Sequence, residues 1–187
     1  MGDVIQAIET RYAGRRFRSR LEARWAVFFD SLGVTWEYEP EGFLVGDDKR
    51  AYLPDFKIQT AFGEWWIEVK GDREKLDIDL LAAFATASPS QQIAILGPVP
   101  RLAEEATPLH WMVRRIADKP FLAQVYFTPG GNLWQWGFEY PFAPDLVEST
   151  IGPLLDGGPA TDLRVQPNVR DAYIAASSAR FEHGEEG

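Results

Sequence analysis

Tyr52-Leu53-Pro54-Asp55-Phe56 and Trp66-Ile67-Glu68-Val69-Lys70 are the two stretches on which the fold turns. Both read as strands, and Thr60-Ala61-Phe62-Gly63 between them is short and ends in glycine, as a hairpin turn does. Strand side chains alternate faces, so Glu68 and Lys70 share one face and Ile67 and Val69 the other. A fold about the midpoint between Ala61 and Phe62 sets Asp55 directly opposite Glu68. Opposed residues of an antiparallel pair have Cβ atoms about 4.5–5.5 Å apart. Two carboxylates at that spacing repel unless a cation or a proton joins them. Oxygen ligands of this kind suit Mg²⁺ or Mn²⁺.

The flanking sequence supplies helices and a further strand. Residues 15–32 are expected to form a helix, with Leu21, Trp25, Phe28 and Leu32 as its buried stripe. Ser19 is the expected N-cap, Gly33 the stop, and Glu22 projects beside the stripe. Residues 34–39 alternate as a strand, and 51–58 and 64–70 are the two central strands. A second amphipathic helix is expected at 73–87, and a short apolar strand at 92–96. A strand, a crossover helix and a parallel strand imply an α/β protein with a mixed sheet flanked by helices.

Beyond residue 97 the pattern is broken by Pro98, Pro100, Pro108 and Pro120, with a short helix expected around 111–117. Runs at 121–127 and 133–138 flank Thr-Pro-Gly-Gly-Asn and read as a hairpin. A short helix is expected at 146–155, a longer one at 168–181 capped by Asn168, and an acidic tail follows. The organisation expected is a core over 1–97, with its basic helix at 15–32. An aromatic-rich extension follows over 98–187, carrying the hairpin 121–138 and the helix 168–181.

With 45% apolar residues among 187, the chain can bury a sizeable core. It has no cysteine, which excludes disulfides and thiolate metal sites and fits a reducing compartment. No apolar run approaches the roughly 18 residues of a membrane span, and residues 1–10 lack the apolar segment of a signal peptide. A cytoplasmic protein with no membrane partner is expected. Net charge is −9, which alone argues against a polyanionic partner. Residues 11–24, however, hold six arginines against the single acid Glu22. Such a patch on an acidic body is either a phosphate-binding footprint or the solvated entry to a helix.

Glu22, Pro54-Asp55 and Glu68-Val69-Lys70, in that order and setting, resemble the PD-(D/E)XK nuclease superfamily. The likeness is strongest to small actinobacterial and phage nuclease-like proteins and to transposon-end nucleases. It spans about residues 15–97, and Phe17-Arg18-Ser19-Arg20-Leu21-Glu22-Ala23-Arg24 carries part of it. The resemblance implies a restriction-endonuclease-like core of helix, three-strand meander, helix and strand. It implies a Mg²⁺- or Mn²⁺-dependent DNA endonuclease of bacterial or phage origin, working alone, as a homodimer or with a partner protein.

In such an enzyme Asp55 and Glu68 are metal ligands, the Val69 carbonyl is a third, and Glu22 binds the ion through water or helps hold a second one. Lys70 orients the attacking water and offsets transition-state charge. Arg16, Arg18, Arg20 and Arg24 contact phosphate. Each has a plainer alternative. Ser19-X-X-Glu22 is a capping box, and Glu68 with Lys70 makes an exposed ion pair. The seven tryptophans are either core packing or, in part, a base-stacking surface. His110 and His183 suggest no local metal motif. The open alternatives in function are a catalytically silent nucleic-acid or protein-binding module on the same fold, and a nuclease subunit active only in a complex.

Overall fold

A two-residue turn at Ala61 and Phe62 joins the two strands at the centre of the molecule. Phe56 pairs with Ile67, Lys57 with Trp66, Ile58 with Trp65 and Thr60 with Gly63, the register expected from the turn. The computed structural model describes residues 9–72, 75–87, 92–101, 106–141 and 159–181, and all structural statements refer to these.

The chain opens with a hairpin of β1 (Thr10–Tyr12) and β2 (Arg15–Phe17), then α1 (Arg20–Leu32) and β3 (Thr35–Tyr38). A second hairpin, β4 (Phe43–Val45) and β5 (Arg50–Tyr52), precedes the central β6 (Phe56–Thr60) and β7 (Gly63–Val69). There follow α2 (Ile78–Ala87), β8 (Ile93–Leu96), β9 (Ala106–Pro108), β10 (His110–Ile116), β11 (Lys119–Phe127), β12 (Leu133–Pro141), β13 (Pro159–Arg164) and α3 (Pro167–Ser178). Seven strands form one sheet in the order β12-β11-β10-β8-β7-β6-β3. Only β7 and β8 run parallel, joined across α2; every other neighbouring pair is antiparallel. The protein is a mixed α/β fold.

The sheet is buried on both faces. Against one lie α1 and α3, where Trp25, Phe28, Phe29 and Tyr173 pack on Phe56, Ile58, Ile67 and Val125. Against the other lie α2 and the β4–β5 hairpin, where Tyr52 and Phe84 pack with Trp66, Ile93, Ile95 and Trp111. Burying a side chain of this size contributes roughly 1.5–3 kcal/mol, so a dozen of them dominate stability. The sheet also curls. The β11–β12 turn reaches the start of β3, where a Cβ on Gly131 would collide with Val34 Cγ2, so only glycine fits. Phe62, in the β6–β7 turn, and Trp134, on β12, approach to 6.3 Å between ring centroids. No helix among the described residues is long and apolar enough to cross a membrane.

Several expectations are corrected. The helix expected at 15–32 begins at Arg20. Arg15–Phe17 is strand, because Ala13 and Gly14 at positive φ close a hairpin and Ser19 at φ −142° caps the helix. The strand expected at 51–58 breaks in two at Leu53-Pro54-Asp55, since Pro54 has no N–H for the ladder. The helix expected at 73–87 starts at Ile78, where Asp77 accepts the Leu80 N–H at 3.0 Å; residues 73–74 lie outside the described set.

Residues 111–117 are not helical. Residues 111–116 belong to β10, whose Met112 and Trp111 face opposite cores, so apolar residues on both sides hide the strand period, and Ala117 begins the turn after it. The hairpin expected at 121–138 is present and longer, from Lys119 to Pro141, and its strands extend the same sheet as β6–β8. The last helix starts at Pro167 with Gln166 as N-cap; Asn168 is not the cap, because Pro167 already takes the first turn without needing an N–H. The helix expected at 146–155 and the tail with His183 lie outside the described residues.

Candidate active site

Pro54 ends one strand pairing and lets the chain re-enter the sheet at Phe56, which leaves Asp55 one step before the β6–β7 ladder, at the position facing Glu68. There its side chain takes over the work of a ladder residue. Asp55 Oδ2 accepts the Val69 N–H at 2.7 Å, while its own carbonyl accepts the Glu39 N–H at 2.9 Å. Beyond Val69 the Lys70 N–H bonds the Leu96 carbonyl at 2.9 Å, so the parallel pairing with β8 continues past the antiparallel one. The cluster therefore stands at the carboxyl ends of β7 and β8.

Glu68 is 5% exposed and Asp55 4%. Glu68 is held at both oxygens, Oε1 by Lys70 Nζ at 2.6 Å and Oε2 by the Tyr52 hydroxyl at 2.8 Å. Asp55 Oδ1 meets the Arg18 guanidinium at 3.2 Å, and Arg18 also pairs with Glu39. Glu22 approaches from α1 with both oxygens engaged. Oε1 accepts the Ser19 hydroxyl at 2.8 Å; Oε2 accepts the Tyr38 hydroxyl at 2.6 Å and the Arg18 N–H at 3.1 Å. Ser19 Oγ in turn accepts the Glu22 N–H at 3.2 Å. Glu22 thus caps its helix and also adds negative charge beside Asp55.

The electrostatics follow from burial. Desolvation first, then the Glu68 charge, pushes the Asp55 carboxyl up to about 7, against the opposing pull of the Val69 N–H and Lys70. Burial draws Lys70 down, but the charges of Glu68 and Asp55 outweigh it and the net shift is upward. Lys70 is thus a firm cation in this state, a donor and a charge rather than a base. Burial and the Glu68 charge hold the Tyr52 phenol well above its ordinary value, so it stays a donor.

The arginines separate. Arg18 alone of the four expected phosphate contacts reaches the carboxylates. Arg16 pairs with Glu9 on the first hairpin, Arg20 opens α1, and Arg24 is half-buried with Nε unbonded among the described residues. Arg15 lies over the Trp36 ring at 5.2 Å. Two site residues had no sequence signal strong enough to single them out. Tyr38 pairs with Phe56, next to Asp55, and a correct register for β3 against β6 would have pointed to it. Tyr52 comes from a hairpin outside the main sheet.

No group of three His, Asp or Glu side chains among the described residues converges as a cation site. Asp55 and Glu68 are the buried carboxylates here that could hold a divalent ion together. The Glu68 charge raises the cost of ionising Asp55, and a cation between the two would relieve it. The Val69 carbonyl projects to the same side of β7 as its N–H, hence toward Asp55, and water can complete a Mg²⁺ shell. No family model, no curated protein and no solved structure matches the chain.

Proposed function

We propose that this chain is a divalent-metal-dependent nuclease of the PD-(D/E)XK type that hydrolyses DNA phosphodiester bonds as an endonuclease. One observation carries the reading: Asp55 and Glu68 are buried side by side at the ends of central strands, with Lys70 on Glu68. The succession α1, β3, β6, β7, α2, β8, with β7 and β8 parallel, agrees with a restriction-endonuclease-like core. The β4–β5 hairpin is an insertion within the meander.

Asp55, Glu68 and the Val69 carbonyl would hold Mg²⁺ or Mn²⁺, with Glu22 beside them through water. When bound, the ion would neutralise charge on the scissile phosphate and lower the pKa of a bound water. Lys70, a cation at the rim of the pair, donates a hydrogen bond to the attacking oxygen or the phosphate and offsets the charge that grows there. Arg18, with 58% of its side chain exposed, is placed to exchange Asp55 for a phosphate oxygen.

The test is nicking of supercoiled plasmid with Mg²⁺ or with EDTA, using Lys70→Ala as control. Metal-dependent nicking lost in the variant supports the enzyme; equal nicking by both proteins assigns it to a contaminant and removes the proposal. A binding module on the same fold is the second reading, favoured because Lys70 and Arg18 already neutralise Glu68 and Asp55 without a metal. DNA retained in a gel shift in EDTA, with no Mn²⁺ bound, selects it. Mn²⁺ binding without nicking selects a subunit that needs a partner or a second copy.

A further inference from the structure

Among the described residues the β4–β5 hairpin pairs with no strand of the seven-stranded sheet, yet its last residue enters the second core and reaches the buried acidic pair. The Tyr52 ring packs edge-on against Phe84 at 4.9 Å between centroids, and the residue is 6% exposed. Phenylalanine would serve that packing equally well. The hydroxyl does something different: it donates to Glu68 Oε2 at 2.8 Å, while Lys70 holds Oε1 at 2.6 Å. A carboxylate on a flexible glutamate stem is thereby fixed in one orientation by a rigid donor on the side away from Lys70. We propose that Tyr52 is a positioning residue of this site, fixing Glu68 so that the oxygen Lys70 holds here is the one presented to a divalent cation. The proposal rests on the metal-site reading above. It assigns the hairpin a task, namely to carry an outer partner of a metal ligand, and such partners commonly change metal affinity 10–100-fold.

The probe is Mn²⁺ alone, titrated calorimetrically or by loss of the free-ion paramagnetic resonance signal, with melting temperature measured on the same samples. Tyr52→Phe is expected to bind Mn²⁺ about 10–100-fold more weakly than wild type while melting within a few degrees of it. Because Tyr52 acts through Glu68, the double variant Tyr52→Phe/Glu68→Gln is expected to bind no more weakly than Glu68→Gln alone. If wild type binds Mn²⁺, Glu68→Gln does not, and Tyr52→Phe binds within about twofold of wild type, the hydroxyl is only a packing detail; the metal reading then survives and this proposal does not. If wild type binds no Mn²⁺, both are overturned. Should Tyr52→Phe melt too low to titrate at room temperature, the same titrations are run in the cold, where an affinity within about twofold of wild type again overturns the proposal.

Discussion

The pair His110–Tyr173 and the pair Asp55–Glu68 are both buried polar groups, one inside the sheet–helix core and one at the strand ends, and they are held in opposite ways. His110 Nε2 meets the Tyr173 hydroxyl at 2.7 Å within a box of Trp25, Phe127 and Tyr173 rings. Burial drives the imidazole down to about 3, so both partners are neutral. Neutral, paired and enclosed, they cost little and ask for nothing further. Asp55 and Glu68 are as deeply buried but carry like charge, and two cations with partly exposed side chains, Lys70 and Arg18, compensate them. A buried like-charged pair that needs outside cations to hold it is where a functional site is to be sought, whereas a satisfied neutral pair is packing.

The largest effect that would break this contrast is on activity. Lys70→Ala or Asp55→Asn is expected to lower metal-dependent nicking at least about 10²–10³-fold, measured on supercoiled plasmid. His110→Ala should leave nicking per folded molecule within about twofold. Asp55→Asn should also raise the melting temperature at pH 8 by several degrees, since it removes the repulsion and keeps an acceptor for the Val69 N–H. A variant that lost both activity and stability would put the two pairs in one class.

Stability should separate them in the other direction. His110→Ala opens a cavity and strands the Tyr173 hydroxyl, an expected loss of about 3–4 kcal/mol by urea denaturation. Tyr173→Phe, which leaves only the imidazole without its partner, should cost about 1–3 kcal/mol.

The pH dependences have opposite signs. The Asp55 pKa is raised in the folded chain, from 3.8 to about 7, so its contribution is complete below about pH 4 and is lost as pH rises through 7. The His110 pKa is lowered, from 6.5 to about 3, so its contribution is complete above 6.5 and is lost as pH falls toward 3. Each spans at most about 4–5 kcal/mol. Melting curves from pH 4 to 8 should lose their alkaline decline in Asp55→Asn and their acid decline in His110→Leu. Millimolar Mn²⁺ should raise the wild-type melting temperature more at pH 8 than at pH 5.5, because protons compete for Asp55. The smallest effect is the control: Arg16→Ala breaks an exposed pair with Glu9 and should change stability by no more than about 0.5 kcal/mol.

Features written in a few adjacent residues are legible in the chain itself. The Ala61/Phe62 turn sets the β6–β7 register and with it the meeting of Asp55 and Glu68. Ser19 and Gly33 cap α1, and the crossover through α2 makes β8 parallel to β7. Turn, cap and proline chemistry act over two to four residues, which is why a sequence reveals them. β10 escapes because a strand buried on both faces carries no alternation, and the β4–β5 hairpin because its partners lie in a core assembled from distant segments.

The acidic pair and its lysine follow from one hairpin's local chemistry. What surrounds them does not: Tyr52 on Glu68, Tyr38 on Glu22 and Arg18 turned onto Asp55 come from 16 to 37 residues away in the chain. Such partners are chosen by packing, where burial makes an unpaired charge so costly that whichever donor the fold brings within reach is the one used.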